Sequence, residues 1–171
     1  EAVEKLREVN TLVVDKTGTL TLGRPQLVDL AIEPGIDEAD ALRLIASLER
    51  ASEHPLAQAI VKGAEDRGIA LAPVENFESV TGQGVQGNVA GHRVAVGNRP
   101  LMDGFGGVPQ ALADKADALR VQGKTALYAA IDGRVAAVIA VADPIKETTF
   151  EAVKALQSQG VRLVMLSGDS R

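Results

Sequence analysis

Apolar and polar positions along the chain follow two textures. Near its ends, short continuous apolar runs, "TLVVD" (11–15) and the front of "VRLVMLSGDS" (161–170), stand beside a helical stretch near Glu1 and a helix starting after Pro144. Unbroken apolar strands that alternate with helices predict buried strands of a parallel sheet. The middle reads differently. "DEADALRLIASLERAS" and "PLAQAIVKGAEDRG" carry apolar residues at helical spacing, with Pro55 suited to the first turn of the second helix and Gly68 to its end. "FESVTGQGVQGNVAGHRVAVGN" alternates in short strands punctuated by glycines. A helix near Gln110 to Gln122 follows, then "TALYAAI" and "RVAAVIAV" joined by Asp132-Gly133, a hairpin signal. The pattern predicts an antiparallel-sheet α+β domain, 23–141, inserted into a parallel α/β domain made of 1–22 and 142–171.

Composition narrows the chemistry. The 171 residues are 46% hydrophobic but only 2% aromatic, so the core is built from Val, Leu, Ile and Ala, and no base-stacking platform for nucleic acid is present. A net charge of -5 also argues against a nucleic-acid partner. The absence of cysteine removes disulfides, thiol nucleophiles and thiolate metal sites. No apolar run reaches the roughly 18 residues of a membrane span, and the mixed charge of "EAVEKLREVN" is unlike a signal peptide, which predicts a soluble chain.

The sharpest feature is "DKTGTLT", which places Asp15 at the C-terminal end of the first apolar strand and continues into small polar residues around Gly18. In open parallel sheets ligands bind at the carboxyl ends of strands, and N–H groups around a glycine turn cradle phosphate. Together with "SEHPLAQAI", "GQGVQG", "VGN" and "ADPIKETT" in this order, the motif resembles the large cytoplasmic region of heavy-metal P-type ATPases, over nearly the whole chain. The resemblance implies a nucleotide-binding domain inserted into part of a haloacid-dehalogenase-like phosphorylation domain. It also implies ATP and Mg2+ as cofactors, with Asp15 receiving the γ-phosphoryl group. Lys16 adds positive charge near the phosphates, Thr17 joins Asp15 in holding magnesium, and Thr19 donates to phosphoryl oxygens. Ser167, Gly168 and Asp169 resemble the family's Thr-Gly-Asp loop, with serine keeping the hydroxyl; Ser170 stands where asparagine is common.

Phosphatases of the same fold are the nearest rival. They place a second acid two positions after the nucleophile, where this chain has Thr17. Without that carboxylate, general acid–base help for hydrolysing an aspartyl phosphate is missing, which suits a pump that must hold the intermediate. A non-catalytic nucleotide-binding module is the other alternative.

For the inserted domain, Pro55 biases His54 to an extended backbone ahead of a helix, so its ring projects from a helix N-terminus; by itself this reads as a surface histidine capping the helix. The resemblance instead gives His54 the role of orienting adenine, and Glu49 that of accepting from the adenine amino group. Gly82, Gly84 and Val85 line the nucleotide pocket, completed by Gly97 and Asn98. "GQGVQG" matches a dinucleotide fingerprint in spelling, but it lies among strands and opens no helix. Its glycines are expected to let the backbone approach a ligand. His92 has no second histidine near it, which argues against a metal site.

"DPIKETT" and "VMLSGDS" resemble the copper branch, favouring Cu(I) or Ag(I) as cargo over zinc or cadmium. The resemblance places the chain at the cytoplasmic face of a membrane, with the remaining phosphorylation, actuator and membrane domains of a parent protein as partners. A later lysine and a "GDGxND"-type segment used by the family are not among these residues. The chain alone is therefore expected to bind ATP on the order of 0.1–1 mM without turning it over. Its "TLVVD" strand is expected to be an exposed edge that invites dimer formation or local disorder.

Overall fold

A computed structural model describes residues 11–15, 24–143 and 147–166. Lys16, Thr17, Thr19, Ser167, Gly168 and Asp169 lie outside the described residues, as do the helical stretch near Glu1 and Pro144 to Lys146. The chain divides into two compact units: Pro25–Ala142, and a unit formed by the flanking segments.

In the flanking unit, β1 (Thr11–Asp15) pairs in parallel with β8 (Arg162–Leu166), in a register that sets Val13 opposite Val164 and Asp15 opposite Leu166. Helix α5 (Glu147–Ser158) precedes β8. The sequence predicts a buried strand for β8, yet Val164 is 40% exposed and Val13 54%. Among the described residues these two strands pair only with each other. At the junction with the inserted unit, the Arg24 N–H donates to Asp143 Oδ1 (3.2 Å), tying the outgoing and returning chain together.

The inserted unit is a six-stranded antiparallel sheet in the order β2-β7-β6-β5-β4-β3. Its strands are β2 (Gln26–Ile32), β3 (Val74–Val80), β4 (Gly84–Val89), β5 (His92–Gly97), β6 (Thr125–Ile131) and β7 (Arg134–Ala142). Asp132 and Gly133 both take positive φ (51° and 87°), the requirement of a two-residue type I′ hairpin between β6 and β7. β7 is buried on both faces, which explains its unbroken apolar run.

Alternation along the strands feeds two cores. Val94, Val96, Ala129 and Ile139 face helices α1 (Glu38–Glu49) and α2 (Pro55–Asp66), meeting Leu42, Ile45, Leu48 and Ile60. Ala95, Tyr128, Ala130 and Val138 face the short α3 (Arg99–Asp103) and α4 (Gln110–Val121), meeting Met102, Leu112 and Leu119. Helix α1 starts at Asp37, whose carboxylate accepts from the Asp40 N–H (3.0 Å). Helix α2 lies tight on β2: a Cβ on Gly63 would stand 2.7 Å from Leu27 Cβ, so only glycine fits. β2 and α3 carry no prediction from the sequence pattern.

Candidate functional site

Where α1 ends, α2 begins and the β3–β4 turn meets the end of β5, the inserted unit opens a cleft of about 360 Å³. All seven residues expected to hold a nucleotide, Glu49, His54, Gly82, Gly84, Val85, Gly97 and Asn98, line it. Val85, Val96 and Leu127 supply an apolar floor.

Glu49 sits on the last turn of α1 and is 6% exposed. Burial pushes its carboxyl up to about 7, because the charged form loses hydration. Among the described residues no protein group donates to it within bonding distance. A buried carboxyl lining a cleft without a protein donor is poised to accept from a ligand.

His54 is the N-cap of α2, with φ -67° and ψ 138°, as the following proline favours. Its Nδ1 accepts from the Leu56 N–H (3.2 Å). A ring nitrogen that accepts carries no proton, so neutral His54 bears its hydrogen on Nε2. The capping role and a ligand-facing role therefore use different nitrogens of one ring.

Asn98 is committed to the protein. Its Nδ2 donates to the Gly82 carbonyl (2.8 Å), its Oδ1 accepts from the Leu101 N–H (3.3 Å) at the start of α3, and its backbone N–H donates to the Gln83 carbonyl (2.9 Å). It fixes the β3–β4 turn and through it shapes the wall of the cleft.

The glycines differ in what the fold itself requires of them. A Cβ on Gly84 would lie 2.1 Å from the Val96 carbonyl oxygen, and one on Gly97 would lie 2.1 Å from the Gln83 carbonyl oxygen and 2.8 Å from Leu101 Cδ2. Close packing of β4 on β5 demands both. At Gly82 the Cβ direction is open, and a φ of +71° in the turn accounts for the residue.

Ser52, Thr81 and Gln83 also line the cleft and carry no expectation from the sequence. Ser52 lies inside the "SEHP" motif, and the pattern of helix spacing gave no reason to separate it from ordinary turn serines. Glu53, read as a local polar residue, is exposed.

At the other end of β4 and β5 a larger cleft, about 590 Å³, contains none of the expected site residues. There His92 Nδ1 stands 2.7 Å from Asp132 Oδ2. The His92 hydrogen bond, aided by the Arg93 N–H, holds the Asp132 carboxyl below its usual range. Among the described residues no three His, Asp or Glu side chains are grouped to hold a metal ion. For magnesium, Asp15 is of the residue type that offers the hard oxygen this ion requires, and it is the last residue of β1; Thr17 lies outside the described residues. Among the described residues no helix is long and apolar enough to cross a membrane.

Comparison with known proteins gives the family of the chain. Residues 9–171 match the model of the haloacid dehalogenase-like hydrolases. A copper-exporting P-type ATPase of Legionella pneumophila is 49% identical over 171 residues, all of this chain and 23% of that protein. A zinc-transporting PIB-type ATPase, solved in its E2.Pi state, superposes with a TM-score of 0.84 at 33% identity over 98% of this chain and 27% of that one. The N-domain of HMA6, a copper-transporting P-type ATPase, superposes with a TM-score of 0.58 at 29% identity, over 70% of this chain and 99% of its own. The chain thus spans about a quarter of the length of such relatives. With a match covering nearly its whole length, the chain belongs to the haloacid dehalogenase-like hydrolase family.

Proposed function

We propose that this chain is the ATP-binding and phosphoryl-accepting segment of a P-type ATPase that exports a heavy-metal cation, Cu(I) or Ag(I), with Pro25–Ala142 as its nucleotide-binding domain. The observation that carries the reading is the convergence of Glu49, His54, Gly82, Gly84, Val85, Gly97 and Asn98 on one cleft. The likeness of the isolated copper-ATPase N-domain to 70% of the chain supports the domain assignment. The 49% identity to a copper exporter favours copper chemistry over the zinc of the structural relative at 33%.

In this reading adenine enters the cleft with its amino group donating to Glu49 and a ring nitrogen accepting from His54 Nε2–H. Val85 and Val96 exclude water beneath the base, where hydrogen bonds gain strength. At the far end of ATP, an Asp15 carboxylate oxygen attacks the γ-phosphorus. A new P–O bond forms to Asp15 and the bond to the β-phosphate bridging oxygen breaks, leaving ADP with the electron pair. Lys16 supplies positive charge and Thr19 a donor for the transferring group, and Ser167 supplies the hydroxyl that holds it, with Asp169 in the same motif. Asp15 and Thr17 would hold magnesium, which would supply charge neutralisation at the phosphates. The parent protein's remaining phosphorylation, actuator and membrane domains complete the cycle at the cytoplasmic face of a membrane.

The test is phosphoenzyme formation in a full-length ATPase carrying this sequence. Labelled ATP yields an acid-stable, hydroxylamine-sensitive adduct that Asp15→Asn abolishes. An adduct that survives that substitution overturns the assignment.

A further inference from the structure

We propose that Ser52 is a positioning residue of the cleft, the joint that couples the end of α1 to the start of α2 and thereby holds Glu49 and a single tautomer of His54 in a fixed arrangement. The proposal rests on the reading of the cleft as an ATP site.

The hydrogen bonds form a continuous path. The path begins at the C-terminal end of α1, which is anchored: Ser47 Oγ, buried, accepts from the Ala72 N–H (2.9 Å), and an Arg50 guanidinium nitrogen donates to the Ala72 carbonyl (3.3 Å). Both polar groups of one peptide residue thus grip the turn that carries Glu49. From that turn the Glu49 carbonyl accepts from the Ser52 N–H (2.8 Å), and Ser52 Oγ accepts from the His54 N–H (3.2 Å). His54 Nδ1 then accepts from the Leu56 N–H (3.2 Å), inside the first turn of α2. Ser52 is the one residue in this path that touches Glu49 with its backbone and His54 with its side chain.

Two consequences follow for the ligand side. The His54 backbone is held at its N–H by Ser52 Oγ and at its carbonyl by the Ala57 N–H (3.0 Å), and its ring by the Leu56 N–H, so the ring's remaining nitrogen presents a hydrogen in a set direction. Because the Ser52 hydroxyl accepts from His54, its own proton is left over, and Ser52 lines the cleft. Neighbouring Glu53 is exposed, with no bond to this path. The coupling therefore falls on the serine of the motif and not on its acid.

The test compares the unmodified chain with Ser52→Ala, Ser52→Cys and Ser52→Thr. Without nucleotide, the nitrogen shifts of the His54 ring report the tautomer. They show an unprotonated Nδ1 in the unmodified chain and in Ser52→Thr, and an average of both tautomers in Ser52→Ala. Titration with ATP gives about a fivefold weaker Kd for Ser52→Ala, equivalent to about 1 kcal/mol, and recovery in Ser52→Thr. Ser52→Cys keeps the side-chain shape with a weaker acceptor and falls between. Should Ser52→Ala fail to fold, Ser52→Cys decides: unchanged ring shifts and unchanged Kd in that variant overturn the proposal. Unchanged ring shifts in a folded Ser52→Ala overturn it equally. Failure of the unmodified chain to bind ATP removes the functional reading, while the ring shifts, measured without ATP, still decide the role of Ser52.

Discussion

Replacing Glu49 by glutamine removes a titrating group from the cleft and keeps its shape. The carboxyl's ordinary value of 4.5 rises to about 7 in the folded chain because burial strips hydration from the carboxylate. Between those values the folded state holds a proton that the unfolded state has released. Stability therefore falls as pH rises through that window, and the full penalty is in place above about 7. A shift of this size corresponds to about 3 kcal/mol. Little solvent screening reduces it, since Glu49 is 6% exposed. In Glu49→Gln this slope is gone. The buried amide has a constant cost, so the comparison is one of slopes: the variant gains on the unmodified chain by about 3 kcal/mol between about pH 4 and about pH 8. Denaturant melts at several pH values, with matched m-values, measure the difference. Parallel stability profiles for the two proteins would refute the claim that burial controls this carboxyl. The same logic predicts linkage with ATP. An N–H donor docked on Glu49 stabilises its charged form, so ATP binding releases protons below about pH 7 and affinity rises with pH there. Calorimetry in buffers of different ionisation enthalpy reads that release.

Asn98→Ala loses the α3 cap and the tie to the Gly82 carbonyl and costs about 1–3 kcal/mol by urea melting, with ATP affinity falling beyond what the stability loss explains. Gly97→Ala forces a Cβ to within 2.1 Å of the Gln83 carbonyl oxygen, and loss of the native amide spectrum is expected; Gly82→Ala, with open space around it, costs about 1–2 kcal/mol for its positive φ and leaves the fold intact. Tyr128→Phe removes a buried hydroxyl that has no partner among the described residues, so thermal melting should show no loss of stability or a gain of about 1 kcal/mol. The exposed Val13 and Val164 pair predicts that the β1–β8 ribbon brings two copies together, so Val164→Lys lowers self-association in sedimentation.

Much of the inserted unit is legible from pattern because its helices each pack one face on the sheet and its central strands pair through recognisable turns. Asp132-Gly133 marks the β6–β7 hairpin, and Pro55 and Gly68 bracket α2 within a residue or two. β2 escapes because it is an edge strand that mixes Gln26 and Asp29 into a half-buried face, with a bulge between Leu27 and Asp29. Helix α3 has five residues, too few to show a period. In the site, residue identity was readable where a motif names it, but its physical reason was not. Gly84 and Gly97 are demanded by each other's strand, and Asn98 by the Gly82 carbonyl, contacts made across the sheet that no local window contains. Burial of Glu49 likewise depends on strands more than 30 residues downstream folding over α1, as Val85 and Val96 do.

The most direct test of the account is an amide-shift titration of this chain with ATP, read residue by residue. The account predicts saturable changes, with a Kd on the order of 0.1–1 mM, concentrated at Glu49, Ser52, His54, Gly82, Gly84, Val85 and Gly97, and their loss in His54→Ala with the rest of the spectrum unmoved. Changes centred instead on His92, Asp132 and Arg134 at the opposite end of the sheet, or none at all, would contradict it.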